Sequence, residues 1–436
     1  MKKINVGLVG FGTIGAGVAD ILLKKREEWK KTLDIDINLK KIADLDIETD
    51  RGVNVPKELL TTNYKEIVDD PEIEIVIELV GGYDFAKKLI LESIEMGKNI
   101  VTANKALLAV YGKEIFDKAI EKKVDIYYDA AVAGGIPIIK VVKEAMLANN
   151  IEKIFGIING TCNYILTTMK NEGLSFEEAL KKAQELGFAE ADPTFDIDGI
   201  DSAHKLTILA SLVYWREVKM EDFITEGIRK ITSLDVKFAE ELGYTVKLLA
   251  IARDREDGIE LRVHPTLIPS KSTLASILYE FNAVMIKGNF VDELLLKGKG
   301  AGRYPTASAV VSDVIDIARN IINNSVGRVP PYHRGGELKR ILPREEIITQ
   351  YYLRFSSLDK PGVLAKITNI LGDVGISIKA VIQKDGELKD GEYVPVVILT
   401  HKTKEGIMLK ALEKFKELVG DIIESEPQIL RVEEDL

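Results

Sequence analysis

The element order written into this sequence is that of an α/β protein in three parts. Residues 4–129 alternate short β-branched runs with helical periods, residues beyond 130 lose that alternation, and residues 351–436 spell strand, helix, strand, strand, helix, strand. The first pattern implies βαβ units and a parallel sheet covered by helices. The second reads as an α+β domain, and the third as a ferredoxin-like split βαβ unit. Length agrees: 436 residues at about 150 per domain suggest about three domains.

In the first part, strands are expected over 4–9, 35–43, 73–79, 100–101 and 124–128, and helices over 14–28, 85–96 and 113–122, where apolar residues recur at three and four. In the middle, Ser175 and Glu178 have capping-box spacing, and Gly187 is placed to end that helix. A second helix is expected over 200–214, strands over 246–252, 259–263, 283–288 and 293–297, and a helix from 305 to 322 or 323 that returns to the first domain. Pro330-Pro331, His333-Arg334-Gly335-Gly336 and Pro343 mark a connector over 324–350. Beyond it, strands are expected over 351–356, 376–383, 392–401 and 429–432, with helices over 361–374 and 404–418. The expected domains are therefore 1–130, 131–323 and 351–436.

Composition excludes several classes. Apolar residues at 46%, charged at 29% and aromatic at 7% are ordinary for a globular chain. With 59 Lys plus Arg against 69 Asp plus Glu, the net charge of −10 lacks the basic footprint that nucleic acid needs. No apolar run reaches the roughly 18 residues of a membrane span. Met1-Lys2-Lys3 leads into a glycine-rich turn rather than a secretory signal. A single Cys162 forms no internal disulfide and, with scattered His204, His264, His333 and His401, no zinc cluster, which fits a reducing cytoplasm. Any metal would rely on oxygen ligands.

Gly10-Phe11-Gly12-Thr13-Ile14-Gly15 follows a strand and opens a helix. Gly10 allows the tight turn, Gly12 lets a pyrophosphate approach, and Gly15 brings helix and sheet together, with phosphate at the helix N-terminus. This is a Rossmann-type dinucleotide signature in its proper context. Asp44 or Asp46 supplies the acid expected on the ribose hydroxyls, which favours NAD over NADP, although Lys40, Lys41 and Arg51 lie close by. Lys105, in Thr102-Ala103-Asn104-Lys105, follows a strand whose carboxyl end lines the ligand crevice of such a sheet. Position alone equally allows a solvated lysine. The small-residue loop from Asp129 to Pro137 reads as a tight corner, or as one that aims backbone carbonyls and one carboxylate at a cation.

The densest segment runs from Gly187 to Lys205 and contains Glu190, Asp192, Asp196, Asp198 and Asp201. Its carboxylates miss the EF-hand offsets. Asp201 and Lys205, four apart, share one helix face; the bland reading is a surface ion pair. The functional reading takes the carboxylates as partners for an ammonium-bearing substrate and the lysine as a proton donor to a carbonyl oxygen.

The run Ala183-x-x-x-Gly187-Phe188-Ala189, then Asp196-x-Asp198-Gly199-x-Asp201-x-x-x-Lys205, resembles the signature of the homoserine dehydrogenases. So do the glycine motif, Thr102–Leu108, Asn159-Gly160-Thr161-Cys162-Asn163-Tyr164-Ile165-Leu166 and Gly300-Ala301-Gly302-Arg303-Tyr304-Pro305-Thr306. The segment after Tyr351, with Asp359-Lys360-Pro361-Gly362-Val363-Leu364 and Gly375-Ile376-Ser377, looks like an ACT domain. The resemblance implies NAD(P)-dependent interconversion of L-aspartate 4-semialdehyde and L-homoserine in threonine and methionine biosynthesis. It implies Lys205 as proton donor, Lys105 as a second active-site lysine touching cofactor and substrate, and Glu190 and Asp201, with Asp196, around the substrate amine. Gly187 and Gly302 would lie beside the cofactor. Asp129, Val132, Gly134 and Ile136 correspond to a sodium site built mostly of backbone carbonyls, where the family commonly has glutamate. Ala43 stands where many members carry a basic residue, which counts against NADP. The ACT segment implies an amino-acid effector, most plausibly threonine, at Gly362, Val363 and Leu364 with Gly375, Ile376 and Ser377, its bland reading being an added dimerisation module, and the whole implies a homodimer or homotetramer. Two other readings are a thiol-dependent semialdehyde dehydrogenase using Cys162 and a non-catalytic dinucleotide and amino-acid sensor.

Overall fold

A computed structural model describes residues 2–332, 339–383 and 393–436. The expected turn at His333-Arg334-Gly335-Gly336 and the start of the strand at Glu392 lie outside the described residues. Two compact units are present, one of Met1–Ile154, His204–Met220 and Phe281–Leu338, the other of Phe155–Ala203, Glu221–Glu280 and Lys339–Leu436.

The first unit begins β1 (Lys3–Val9), α1 (Thr13–Thr32), β2 (Asp36–Ala43), β3 (Leu60–Thr61), α2 (Lys65–Val68), β4 (Ile73–Glu78), α3 (Asp84–Glu95), β5 (Asn99–Thr102), α4 (Lys105–Lys122) and β6 (Ile126–Tyr127). The strands form a parallel sheet in the order β3-β2-β1-β4-β5-β6. Strand order reverses beside β1, which opens a crevice at the carboxyl ends of β1 and β4. Helix α4 begins eight residues before the helix expected over 113–122. The reason is Asn104, whose side chain accepts the Leu107 amide and caps the helix, so that Lys-Ala-Leu-Leu-Ala-Val, all but the valine good helix formers, joins it. Lys105 is thus the first helical residue rather than part of a strand-end loop.

A short α5 (Ile138–Lys140) follows. The second unit takes up the chain within β7 (Ile151–Ile157), a strand the sequence pattern did not disclose, and continues with α6 (Gly160–Glu172), α7 (Phe176–Glu185) and α8 (Thr194–Ile197). The Ser175–Glu178 capping box is present. Helix α9 (Ile200–Val213) carries the chain back into the first unit. In the second unit come β8 (Ile224–Thr225), α10 (Ser233–Glu241), β9 (Tyr244–Arg255) and β10 (Gly258–Pro269). The first unit then receives the hairpin β11 (Phe281–Gly288) and β12 (Asp292–Lys299), and α11 (Arg303–Ile322). Helix α11 packs on α1: a Cβ added at Gly17 would stand 3.1 Å from Ala307 Cβ, and Val310, Val314 and Ile317 share a buried core with Ile4, Val6 and Leu8 of β1.

The remaining elements are β13 (Ile348–Leu358), α12 (Val363–Asp373), β14 (Ile378–Gln383), β15 (Tyr393–Thr400), β16 (Thr403–Lys404), α13 (Glu405–Phe415) and β17 (Gln428–Val432). Their sheet order β17-β13-β15-β14 is that of the expected βαββαβ unit. Its core joins Tyr351, Leu353 and Phe355 to Ile367, Leu371, Met408 and Phe415. The module does not hang from a linker with a sheet of its own. Strand β17 pairs in parallel with β10, Thr266 opposite Arg431 and Leu267 opposite Val432, so one sheet runs β7-β9-β10-β17-β13-β15-β14. Backbone pairing of this kind leaves no mark on hydrophobic periodicity.

Candidate active site

The glycine-rich turn divides its labour. At Gly10 (φ 101°) a Cβ would lie 2.5 Å from the Leu79 backbone, and at Gly15 it would lie 2.0 Å from the Gly10 carbonyl, so both are demanded by internal packing. At Gly12 a Cβ would meet nothing within 4 Å. Its small size answers to something outside the chain, as a pyrophosphate at the α1 N-terminus requires. No side chain caps α1, which leaves the first-turn amides around Thr13 and Ile14 for an anion. At the end of β2, the Asp44 carboxylate accepts the Phe11 amide at 2.5 Å and the Asp46 amide at 2.9 Å, so it is fixed above the turn. The neighbouring cations are engaged elsewhere: Lys40 with Asp70 and Glu72, Lys41 with Glu66, Arg51 with Asp46.

Lys105 is positioned by a buried chain that begins on β4. Glu78, fully buried, accepts the Val80 and Gly81 amides on one oxygen and the Thr102 hydroxyl at 2.6 Å on the other. Burial pushes its carboxyl above the ordinary value, against the pull of those donors. The Thr102 hydroxyl accepts the Asn104 amide, and Asn104 donates to Gly82 O while capping α4. Sequence reasoning missed Glu78, whose available signal was an acid at a strand's carboxyl end just before Gly81-Gly82.

In the second unit, Asn159 caps α6 through its carbonyl oxygen and donates from its amide to Asp196 Oδ1 at 2.7 Å and Asp201 Oδ2 at 2.8 Å. Thr161 donates to Asp196 Oδ2 and to Phe188 O. The motif around Asn159 and the acidic segment therefore meet through hydrogen bonds, with Asp196 and Asp201 joined by one amide. Glu190 is exposed, and Gly187 follows α7. On α9, Asp201 and Lys205 stand one turn apart and are only 2% and 7% exposed, so they are no surface ion pair. Cys162 is fully buried, and its thiol donates to Asp196 O at 3.2 Å. A buried thiol engaged in this way is not poised as a nucleophile. Iodoacetamide is accordingly expected to leave turnover unchanged in a steady-state assay; stoichiometric inactivation would restore the thiol mechanism.

Gly302 lies at the N-cap of α11, in the first unit. The loop carrying Asp129, Val132, Gly134 and Ile136 is buried apart from Gly135 and curls through two left-handed residues, Ala133 (φ 56°) and Gly134 (φ 54°). Asp129 Oδ1 accepts the Ile139 and Lys140 amides, and its own amide donates to Asp313 Oδ2 at 2.9 Å. Burial pushes the Asp129 carboxyl up to about 6 and that of Asp313 well above the ordinary range. This side chain serves as a helix cap, so a cation in the loop would depend chiefly on main-chain carbonyls. In the C-terminal module, Gly362 precedes α12 and Gly375 precedes β14; Val363 and Leu364 are half-buried, Ile376 is buried and Ser377 is exposed.

Comparison with known proteins agrees with this geometry. The family model for the homoserine dehydrogenase NAD-binding domain matches residues 10–129, that for homoserine dehydrogenase residues 137–315, and that for the ACT domain residues 351–417. The homoserine dehydrogenase of Pseudomonas aeruginosa is 44% identical over 425 residues, covering 96% of this chain and 97% of its own. This chain belongs to the homoserine dehydrogenase family. The Bacillus subtilis member is 39% identical, with 99% of both chains covered. Among solved structures, the homoserine dehydrogenase from Thiobacillus denitrificans superposes with a TM-score of 0.92 at 46% identity over 100% of this chain and 99% of its own. A hyperthermophilic archaeal homoserine dehydrogenase in complex with NADPH matches 73% of this chain and 98% of its own, with a TM-score of 0.63 at 28% identity. The family member described here is therefore an oxidoreductase with a dinucleotide-binding domain and an ACT domain. Among its described residues, no helix is long and apolar enough to cross a membrane.

Proposed function

We propose that the chain catalyses the reversible reduction of L-aspartate 4-semialdehyde to L-homoserine, on the route to threonine and methionine, with Lys205 as proton donor. The observation that carries the residue roles is the pair on α9: a lysine and a carboxylate one turn apart, both buried. Gly10, Gly12 and Gly15 would form the turn that holds the dinucleotide, which when bound would supply the hydride for the aldehyde carbon. Lys205 gives its proton to the developing alkoxide oxygen and is left neutral. Asp201 and Glu190 receive the substrate ammonium, and Asp196 holds Asn159 and Thr161 in register with Asp201. Lys105, fixed by the Glu78, Thr102 and Asn104 chain, orients cofactor and substrate. A monovalent cation would take the carbonyls of Val132, Gly134 and Ile136 beside Asp129 and rigidify that loop. The test is homoserine-dependent reduction of NAD and of NADP followed at the nicotinamide absorbance, with and without threonine. Absence of turnover with both cofactors would favour the sensor reading, and threonine sensitivity would support feedback through Gly362–Leu364 and Gly375–Ser377.

NAD is the proposed preference, because the Asp44 carboxylate faces the turn while nearby cations are paired with other acids. Asp44→Ser should lower kcat/KM for NAD relative to NADP by about tenfold, the worth of one hydrogen bond to a charged group. An unchanged ratio would remove Asp44 from cofactor selection.

A further inference from the structure

Lys247 stands on β9 in the second unit and is only 1% exposed. A lysine is almost never buried so deeply unless an acid pairs with it. Here, among the described residues, the charge that bears on it is the like charge of Lys170, which together with burial pushes Lys247 down to about 7. Its amine donates to two neutral acceptors, Asn163 Oδ1 at 2.8 Å and Ile277 O. A deprotonated amine keeps two N–H donors, so both bonds outlast the loss of the proton and need no counter-ion. An apolar side chain would fill this place without the cost of desolvating an amine. What sets lysine apart at this position is therefore what it donates.

The recipient is the first turn of α6. Because Lys247 acts as a donor, Asn163 turns its carbonyl oxygen to it, and the amide nitrogen then reaches Ile277 O at 3.2 Å and Tyr279 O at 2.8 Å. Thr167, one turn on, accepts the Tyr279 amide at 3.1 Å. One side of α6 is thereby tied to β9 and to the 277–279 segment. At the start of the same turn stand Asn159 and Thr161, whose side chains hold Asp196 and Asp201. We infer that Lys247 is a positioning residue for the substrate ammonium: through Asn163 it fixes the first turn of α6, and with it the setting of the two acids that Asn159 bridges. It acts through those amides rather than on the reacting atoms. This role rests on Asp201 receiving the amine, as proposed above.

Steady-state kinetics of the full chain provide the test. Lys247→Met roughly keeps the volume and removes the donor; it should raise KM for homoserine about tenfold, the worth of one hydrogen bond to a charged group, with kcat and KM for the dinucleotide within about twofold. That split is expected because a displaced amine site weakens substrate and transition state alike. 4-Hydroxybutanoate, which is homoserine without its amine, should inhibit the variant and the wild type with the same Ki. A side chain that merely holds the fold would weaken both compounds together. Asp201→Asn is the control for the amine site and should by itself raise KM for homoserine at least about tenfold. Should Lys247→Met not fold, Asn163→Ala opens the same clamp from α6 and is judged by the same two comparisons. Unchanged KM for homoserine, or equal weakening of homoserine and 4-hydroxybutanoate, overturns the role of Lys247 while the amine site stands on its control. An Asp201→Asn variant with unchanged KM overturns the amine site, and the role of Lys247 with it.

Discussion

Lys205→Ala is expected to lower kcat by about 10²- to 10⁴-fold, the usual contribution of a positioned acid, while dinucleotide affinity stays within about twofold. The asymmetry follows from position. Lys205 lies on α9, whereas the pyrophosphate turn is built from Gly10, Gly12 and Gly15 at the start of α1. The rest of the rate enhancement comes from alignment of the reacting atoms, which the alanine variant keeps. Measured by steady-state turnover of homoserine and by fluorescence titration of bound NADH, the variant should separate the two effects. Near-normal kcat would sink the proton-donor assignment. A parallel loss of dinucleotide binding would show instead that Lys205 holds the fold of its helix, which its 7% exposure makes the chief alternative.

The sequence was most legible where chemistry and local structure coincide. The turn from Gly10 to Gly15 carries its strand before it and its helix after it, and the Ser175–Glu178 box states where a helix starts. Six of the seven strands and helices described from β13 onward were readable because each has its own period; the two-residue β16 was not. Less legible were features made by partners distant in sequence. Glu78 gains its role from Thr102 and from the loop at Val80 and Gly81, so nothing in its own neighbourhood marks it as more than a strand-end acid. Asp129 was read as part of a cation site from motif correspondence, and the bonds from its Oδ1 to the amides of Ile139 and Lys140, ten and eleven residues on, were not legible in the sequence. The pairing of β17 with β10 was hidden altogether, because a strand's two faces set its pattern while its edges, which choose the neighbour, are backbone. That pairing also changes how regulation should be tested. Removing 351–436 would bare the edge of β10, so point variants at Gly362 or Gly375 are the cleaner probe.

Breaking the charge network beside that pairing should have the largest effect on stability. Arg431 of β17, 1% exposed, bonds Glu226 at 2.7 Å and Glu405 Oε2 at 2.8 Å, while Glu405 also takes the Tyr351 hydroxyl at 2.7 Å and Arg344 at 2.9 Å. A neighbouring set ties Arg262 of β10 to Glu260 and Glu433, both at 2.7 Å. Burial alone would raise the Glu405 carboxyl, but the bonds and charge of Arg431 outweigh it and hold the group down to about 2. The folded value therefore lies below the unfolded one, so this stabilisation is complete above about pH 4.5 and is lost as pH falls toward 2. Arg431→Met leaves Glu405 buried with weaker compensation and should cost about 3–5 kcal/mol in urea unfolding at pH 7. Between pH 4.5 and 3 the gap to the wild type should narrow, because Glu405 in the variant accepts a proton more readily. Adding Glu405→Gln to Arg431→Met should recover part of the loss, since it removes the uncompensated charge and keeps the hydrogen bond from Tyr351. A loss under about 1 kcal/mol, against the 3–5 kcal/mol typical of a broken buried pair, or one independent of pH, would mean that backbone pairing of β17 with β10 holds the module without help from these charges.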